Sequence, residues 1–185
     1  MDLDKAIRER HSVRKFKDKK PDWRNIIEAI EAARYAPMAG NNYTVRFIVV
    51  DKPEIIQQIA EASQQPWISQ VHYVVVACSI LSRVTNEFGE RAKIYTRQQA
   101  GAAIENFLLK LEERGLATCW VGHFVEDEIK RELKIPDDAV VEALFPIGYE
   151  FKKPLTRRTK ADIDSILYFN KWKEKRMKPL EKVEA

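Results

Sequence analysis

The chain has 185 residues, 45% of them hydrophobic, enough to bury a core in one domain without disulfides or a metal. Its net charge of +4 gathers toward the ends, as in Lys152, Lys153, Arg157, Arg158 and Lys160, with neither interleaved exposed aromatics nor a recognition helix, which argues against a nucleic-acid binder. There is no hydrophobic N-terminal signal, and no apolar run approaches the ~20 residues that span a bilayer, so no membrane partner and a cytoplasmic location are expected.

Asp2 caps a predicted helix through Leu3, Ala6 and Ile7. By Arg10 the chain is becoming extended, and Arg10, Ser12 and Arg14 then share a face. Two guanidinium forks around a hydroxyl suit a phosphate dianion, although polar side chains on one strand of a basic protein are more often simply solvated. Asp22 opens a second helix carrying Trp23, Ile26, Ile27, Ile30 and Ala33. It ends near Pro37 and delivers the chain into a turn at Gly40, Asn41 and Asn42. Phe47 to Val50 reads as a short buried strand, and Pro53 starts a helix with Ile55, Ile56 and Ile59.

The unbroken apolar run within Val71 to Ile80 predicts a strand buried on both faces. From about Gln98 to Arg114 a long core helix is predicted, with Ala103, Ile104, Phe107, Leu108 and Leu111 on one side and Gly115 as its stop. Ala117 to Gly122 reads as a strand, Glu126 to Leu133 as a helix and Val140 to Tyr149 as a strand. Past Phe151 the chain turns basic and proline-broken before a last amphipathic segment with Ile163, Ile166, Leu167 and Trp172. Helices and strands mix without a repeating unit, which favours α+β over a doubly wound sheet. A single domain over residues 1–172 is expected, with 173–185 as a basic tail that is either solvated or docked on a partner subunit.

Several chemistries lack their usual signals. No two of the six glycines are separated by a single residue, so no GxGxxG exists, and there is no GxxxxGK. His11, His72 and His123 lie far apart, no GxSxG occurs, and no metal site is expected. Cys78 and Cys119 read as buried thiols. Phosphate binding without a nucleotide motif remains.

Five segments, in order, resemble the FMN-dependent nitroreductase family. They are Arg10-His11-Ser12-Val13-Arg14-Lys15-Phe16, Ala36-Pro37-Met38-Ala39-Gly40-Asn41, Arg46-Phe47-Ile48-Val49-Val50, Gly115-Leu116-Ala117-Thr118-Cys119-Trp120-Val121-Gly122 and Pro146-Ile147-Gly148-Tyr149. The resemblance covers the chain to about Trp172. It implies a three-layer sandwich with a central, mostly antiparallel sheet flanked by helices, and a homodimer whose swapped termini embrace the partner and whose two FMN molecules sit at the interface.

By the same resemblance Arg10, Ser12 and Arg14 bind the FMN phosphate and ribityl chain, and His11 and Val13 belong to the same stretch. The loop Pro37, Met38, Ala39, Gly40 and Asn41 lies near the flavin across the dimer cleft. Val121, Gly122 and His123 pass their backbone close to the isoalloxazine ring, where glycine permits close approach. Arg158, or else Arg157 or Lys160, completes the phosphate site. Two departures stand out. Asn42-Tyr43-Thr44-Val45 replaces a Gln-Pro-Trp segment, and Gln99 stands where many relatives place Asp at the start of the long helix. Phe88 and Tyr95 either line the substrate opening or simply pack.

The implied activity is an oxidoreductase in which NAD(P)H and then a nitroaromatic, quinone-like or other small aromatic acceptor use one flavin face in turn. Two alternatives remain. One is a flavin branch with other chemistry, such as dehalogenation or flavin fragmentation; the other is a non-catalytic nucleic-acid or anion-binding module.

Overall fold

Helix starts follow local chemistry in the computed structural model, which describes residues 2–152 and 160–176. The Asp2 carboxylate accepts from the Lys5 N–H at 2.9 Å and caps α1 (Leu3–Glu9). Asp22 accepts from the Arg24 N–H at 3.0 Å at the start of α2 (Trp23–Ala33), and Pro53 opens α3 (Pro53–Ala62).

Four strands, β1 (Val45–Val50), β2 (Tyr73–Ile80), β3 (Ala117–Thr118) and β4 (Ala139–Gly148), form one sheet in the order β1-β2-β4-β3, with every neighbouring pair antiparallel. Side chains alternate along β2. Tyr73, Val75 and Ala77 join Phe145 and Ile147 of β4 in a core with α2 and with α5 (Ala92–Glu113). Val74, Val76 and Cys78 join a second core with Ile56 and Ile59 of α3 and Ile129 of α6 (Glu126–Leu133). Helices therefore cover both faces, and the expected three-layer α+β sandwich is present. The register runs Ala77↔Ala143 and then Cys78↔Val141, so Glu142 is the extra residue of a bulge, and its carboxylate accepts from Ser79 Oγ at 2.5 Å.

Several elements differ from the sequence-based expectation: β1 begins at Val45 rather than Phe47 and is buried only at its two ends, and β2 begins at Tyr73 rather than Val71. The long helix begins at Ala92 rather than near Gln98, because buried Ala92 and Thr96 extend its stripe. It is preceded by an unforeseen helix, α4 (Ser82–Phe88), which Gly89 at φ +53° separates from it. The strand expected over 117–122 is only the two residues of β3. The chain leaves the ladder at Cys119 and Trp120 and returns at Val121, which exchanges 3.0 Å hydrogen bonds with Leu144.

The chain forms two compact units, Met1–Lys153 and Pro154–Ala185. In the second, the amphipathic segment is one helical turn, α7 (Ile163–Ile166), capped by Asp162. Ile163, Ile166, Leu167 and Trp172 are exposed, and the Tyr168 ring lies 4.7 Å from Trp172 with Lys175 Nζ 4.0 Å from its centroid. Among the described residues no helix is long and apolar enough to cross a membrane.

Candidate functional site

Arg10 ends α1: its N–H donates to the Ala6 carbonyl at 3.0 Å, and its ψ of 125° turns the chain into an extended course. That extended stretch docks on β3. Ser12 bridges Thr118 in parallel, and the Val13 N–H donates to the Thr118 carbonyl at 2.9 Å. Val13 is buried while Ser12 and Arg14 are exposed, the alternation expected of a strand with one covered face.

The structure gives Arg10 and His11 partners that the sequence did not reveal. Arg10 Nε lies 3.2 Å from Glu105 Oε1, so α5 fixes the direction of this guanidinium. His11 is bound through both ring nitrogens, to the Glu9 carbonyl and to Glu150 Oε1, each at 2.8 Å. Burial disfavours its charge, but the bonds to Glu9 and Glu150 and the charges of Glu150 and Glu112 outweigh that, and its pKa is raised above the ordinary 6.5. Its visible role is to tie the end of α1 to the end of β4.

Just downstream, the Lys17 N–H donates to the Tyr149 carbonyl at 2.8 Å and the Phe151 N–H to the Lys15 carbonyl at 3.0 Å. Phe16 stacks on Trp67 with 6.3 Å between centroids, so Trp67 is a packing aromatic. Trp23 and Trp120 are half-exposed, Trp120 meeting Phe145 edge-on at 5.7 Å.

Between α2 and β1 the loop from Pro37 turns on two consecutive left-handed residues, Gly40 (φ +55°) and Asn41 (φ +56°). Pro37, Met38, Gly40 and Asn41 are exposed and Ala39 is half-buried. Asn42 closes the turn: its N–H donates to the Ala39 carbonyl at 3.0 Å, and its Nδ2 donates to the Gly40 carbonyl and to Glu87 Oε2 of α4 at 3.2 and 3.1 Å. Gln99, buried in the third turn of α5 rather than at its start, accepts from the Thr44 N–H and Oγ1 at 2.7 and 2.5 Å. Its Nε2 donates to the carbonyls of Asn42 at 3.2 Å and Pro37 at 3.4 Å. Nearby, the Tyr43 hydroxyl donates to the Ala33 carbonyl at 3.1 Å, and burial raises its pKa despite Arg46 and Arg34.

After β3, Val121 is buried while Gly122 and His123 are exposed. Among the described residues a Cβ on Gly122 would have only Trp120 Nε1 near it, at 3.9 Å, so their packing does not demand glycine there. Among the described residues the buried Thr118 Oγ1 has no hydrogen-bond partner, a polar atom left over beside the Ser12 bridge. Phe88 and Tyr95, expected either to pack or to line an opening, meet edge-on at 5.3 Å.

The structure thus joins residues 10–14 to 117–118 directly. The 37–41 loop is held separately, through Gln99, about 9 Å along α5 from the Glu105 that holds Arg10 and roughly 120° around it. Arg157 and Arg158 lie outside the described residues, and Lys160 is exposed. Among the described residues, no group of three His, Cys, Asp or Glu side chains is placed to hold a metal ion. The Glu87–Asn42 and Gln99–loop contacts escaped the sequence reading. The signal for the second was a glutamine on the buried face of a helix.

The model of the nitroreductase family matches residues 7–73 and 60–149. A Methanothermobacter thermautotrophicus protein provisionally named NADH dehydrogenase/NAD(P)H nitroreductase is 30% identical over 93% of this chain and 88% of its own. The iodotyrosine deiodinase of Thermotoga neapolitana is 26% identical over 77% and 85%. The fold of the NADPH:FMN oxidoreductase from Vibrio harveyi, solved with NAD+, superposes with a TM-score of 0.81 over 93% of this chain and 78% of that one, at 18% identity. With its five ordered motifs, its three-layer sandwich and these matches, the chain belongs to the nitroreductase family.

Proposed function

We propose that the protein is an FMN-dependent NAD(P)H oxidoreductase acting in the cytoplasm as a homodimer on a nitroaromatic, quinone or similar small acceptor. The observation that carries this reading is the exposed Ser12 and Arg14 edge docked on β3, beside a buried Thr118 hydroxyl that has no partner among the described residues. A phosphate with ribityl hydroxyls fits that donor set in kind. Bound there, FMN would supply the redox chemistry that links a nicotinamide donor to the acceptor.

The chain's own residues bind and orient. Arg10, directed by Glu105, and Arg14 neutralise the phosphate, with Arg157 or Arg158 as a third cation. Ser12 hydrogen-bonds beside them. The bare Cα of Gly122 admits the ring to the backbone of Val121, Gly122 and His123. The loop from Pro37 to Asn41 closes the cleft from the partner subunit. Its separate attachment to α5 supports this division of labour, as does the run of exposed Leu3, Ile7, Trp23 and Ile27 on α1 and α2. Residues 1–172 serve as the working domain and 173–185 as a tail docked on the partner. The lack of a dinucleotide motif suits a nicotinamide that visits the cleft and leaves.

The test is a titration of the purified protein with FMN followed by anaerobic mixing with NADH and NADPH. Saturable binding with loss of flavin colour on mixing is expected, and absence of saturable binding would refute the reading. The likeness to a deiodinase favours a second reading, reductive dehalogenation at the same cleft. Colour that persists with both nicotinamides would move the assignment there.

A further inference from the structure

Gln99 spends its whole hydrogen-bonding capacity on one loop. A primary amide has two acceptor sites and two donors, and here both acceptor sites face Thr44 while both donors face the carbonyls of Asn42 and Pro37. The orientation is forced, because a backbone N–H can only donate and a carbonyl can only accept. One buried side chain from the third turn of α5 therefore spans both ends of the turn that carries left-handed Gly40 and Asn41. Within the turn itself the closing bonds are the two made by Asn42, to Ala39 and Gly40.

We infer that Gln99 is a positioning residue for the flavin site: without touching the cofactor, it holds Pro37–Thr44 in the shape that presents Gly40 and Asn41 to it. The inference rests on the oxidoreductase reading above. It explains why an amide stands here. A carboxylate still accepts from Thr44, but it sets a bare oxygen against two carbonyls, with no donor between them.

Gln99→Glu keeps the shape of the side chain and removes only the donors, and Gln99→Leu removes all four bonds. In the glutamate variant, burial beside two carbonyls raises the carboxyl pKa, and the protonated acid donates one bond again. Among the described residues, the other ionisable groups bonded to this loop are Glu87 of α4 on Asn42, Arg46 of β1 on the Tyr43 carbonyl, and the Tyr43 hydroxyl on Ala33. On α5 itself, Lys93 and Arg97 are exposed and Glu105 is paired with Arg10.

The experiment measures the FMN dissociation constant of the full-length protein and both variants by flavin fluorescence, well below melting, and expresses each as a ratio to wild type at the same pH. For Gln99→Glu the ratio is expected to be about tenfold near pH 8.5 and to fall to roughly threefold or less near pH 5.5, while Gln99→Leu stays weak at both. A merely structural glutamine would lower the melting temperature and leave these ratios near one, which would overturn the inference and leave the oxidoreductase reading standing. Equal weakening of Gln99→Glu at both pH values would overturn it as well. Failure of wild type to bind FMN would overturn both.

Discussion

Phe16 lies across the Cα of Gly148: a methyl built there would stand 2.8 Å from Phe16 Cδ1 and 3.1 Å from Cγ. The contact links two motifs that are 132 residues apart in the chain, and it lies where Lys15 and Lys17 pair with Phe151 and Tyr149. It fixes the downstream end of the strand that carries Ser12 and Arg14.

Gly148→Ala should therefore destabilise the protein by about 1 to 3 kcal/mol, since the half-buried Phe16 ring, stacked on Trp67, has to give way. Chemical denaturation read by circular dichroism measures this directly. A companion Phe16→Leu change should recover part of the loss, because it clears the space over position 148. If the single and double variants unfold alike, the contact does not set the strand.

Arg10→Ala and Arg14→Ala should each weaken FMN roughly tenfold or more through loss of a charge-assisted donor, and should leave riboflavin binding nearly unchanged. Glu105→Gln should mimic a mild Arg10 defect, because Arg10 keeps its charge and loses its guide. Comparing the two flavins by equilibrium titration separates a phosphate site from general damage. Equal losses for both would refute the assignment of these side chains.

The His11–Glu150 pair makes stability depend on pH. The folded-state pKa of His11 is raised, so its contribution is full below the unfolded value of about 6.5 and is lost as pH rises through the folded value. Wild type should thus exceed His11→Gln in melting temperature most clearly in mild acid, with the gap narrowing toward alkaline pH. A gap that widened on raising the pH would contradict the sign of the shift.

Burial pushes the Cys78 thiol up to about 12, with Glu142 and Glu126 adding to the effect, and Cys119 is also buried. Neither thiol should react with a disulfide reagent near pH 8 in the native protein, and both should react after denaturation. Rapid labelling of native Cys78 would show that its sheet layer opens far more readily than the packing implies.

Much of the fold was legible because its signals are local. Asp2 and Asp22 announced their helices through capping, and Val74, Val75 and Val76 announced a strand buried on both faces. What was not legible depended on partners distant in sequence. α4 has no apolar stripe to mark it, and it is tied to the site through Glu87 and Asn42, 45 residues apart. β3 is short because Cys119 and Trp120 leave the ladder, and nothing in an apolar stretch marks such a departure. For the candidate site, sequence grouped residues 10–14 by alternation, and the structure separates their tasks: Val13 anchors, His11 ties α1 to β4, and Ser12 and Arg14 face outward. Gln99 stands out in the sequence only as a departure from relatives, because its partners Thr44, Asn42 and Pro37 are 55 to 62 residues away.

The second unit exposes Ile163, Ile166, Leu167 and Trp172, with Trp172 at 79%. Four large apolar side chains within ten residues are too many for a solvated tail, and the proposed dimer provides a surface to cover them. Truncation after Pro154 should then reduce self-association and FMN affinity together, since each cleft would lose both the embracing arm and the closing loop of the partner. Trp172→Ala should do the same more mildly, with the monomer appearing at micromolar concentration in sedimentation velocity. Full-length protein that sediments as a monomer with flavin bound would refute the shared site and place the whole of flavin recognition on one chain.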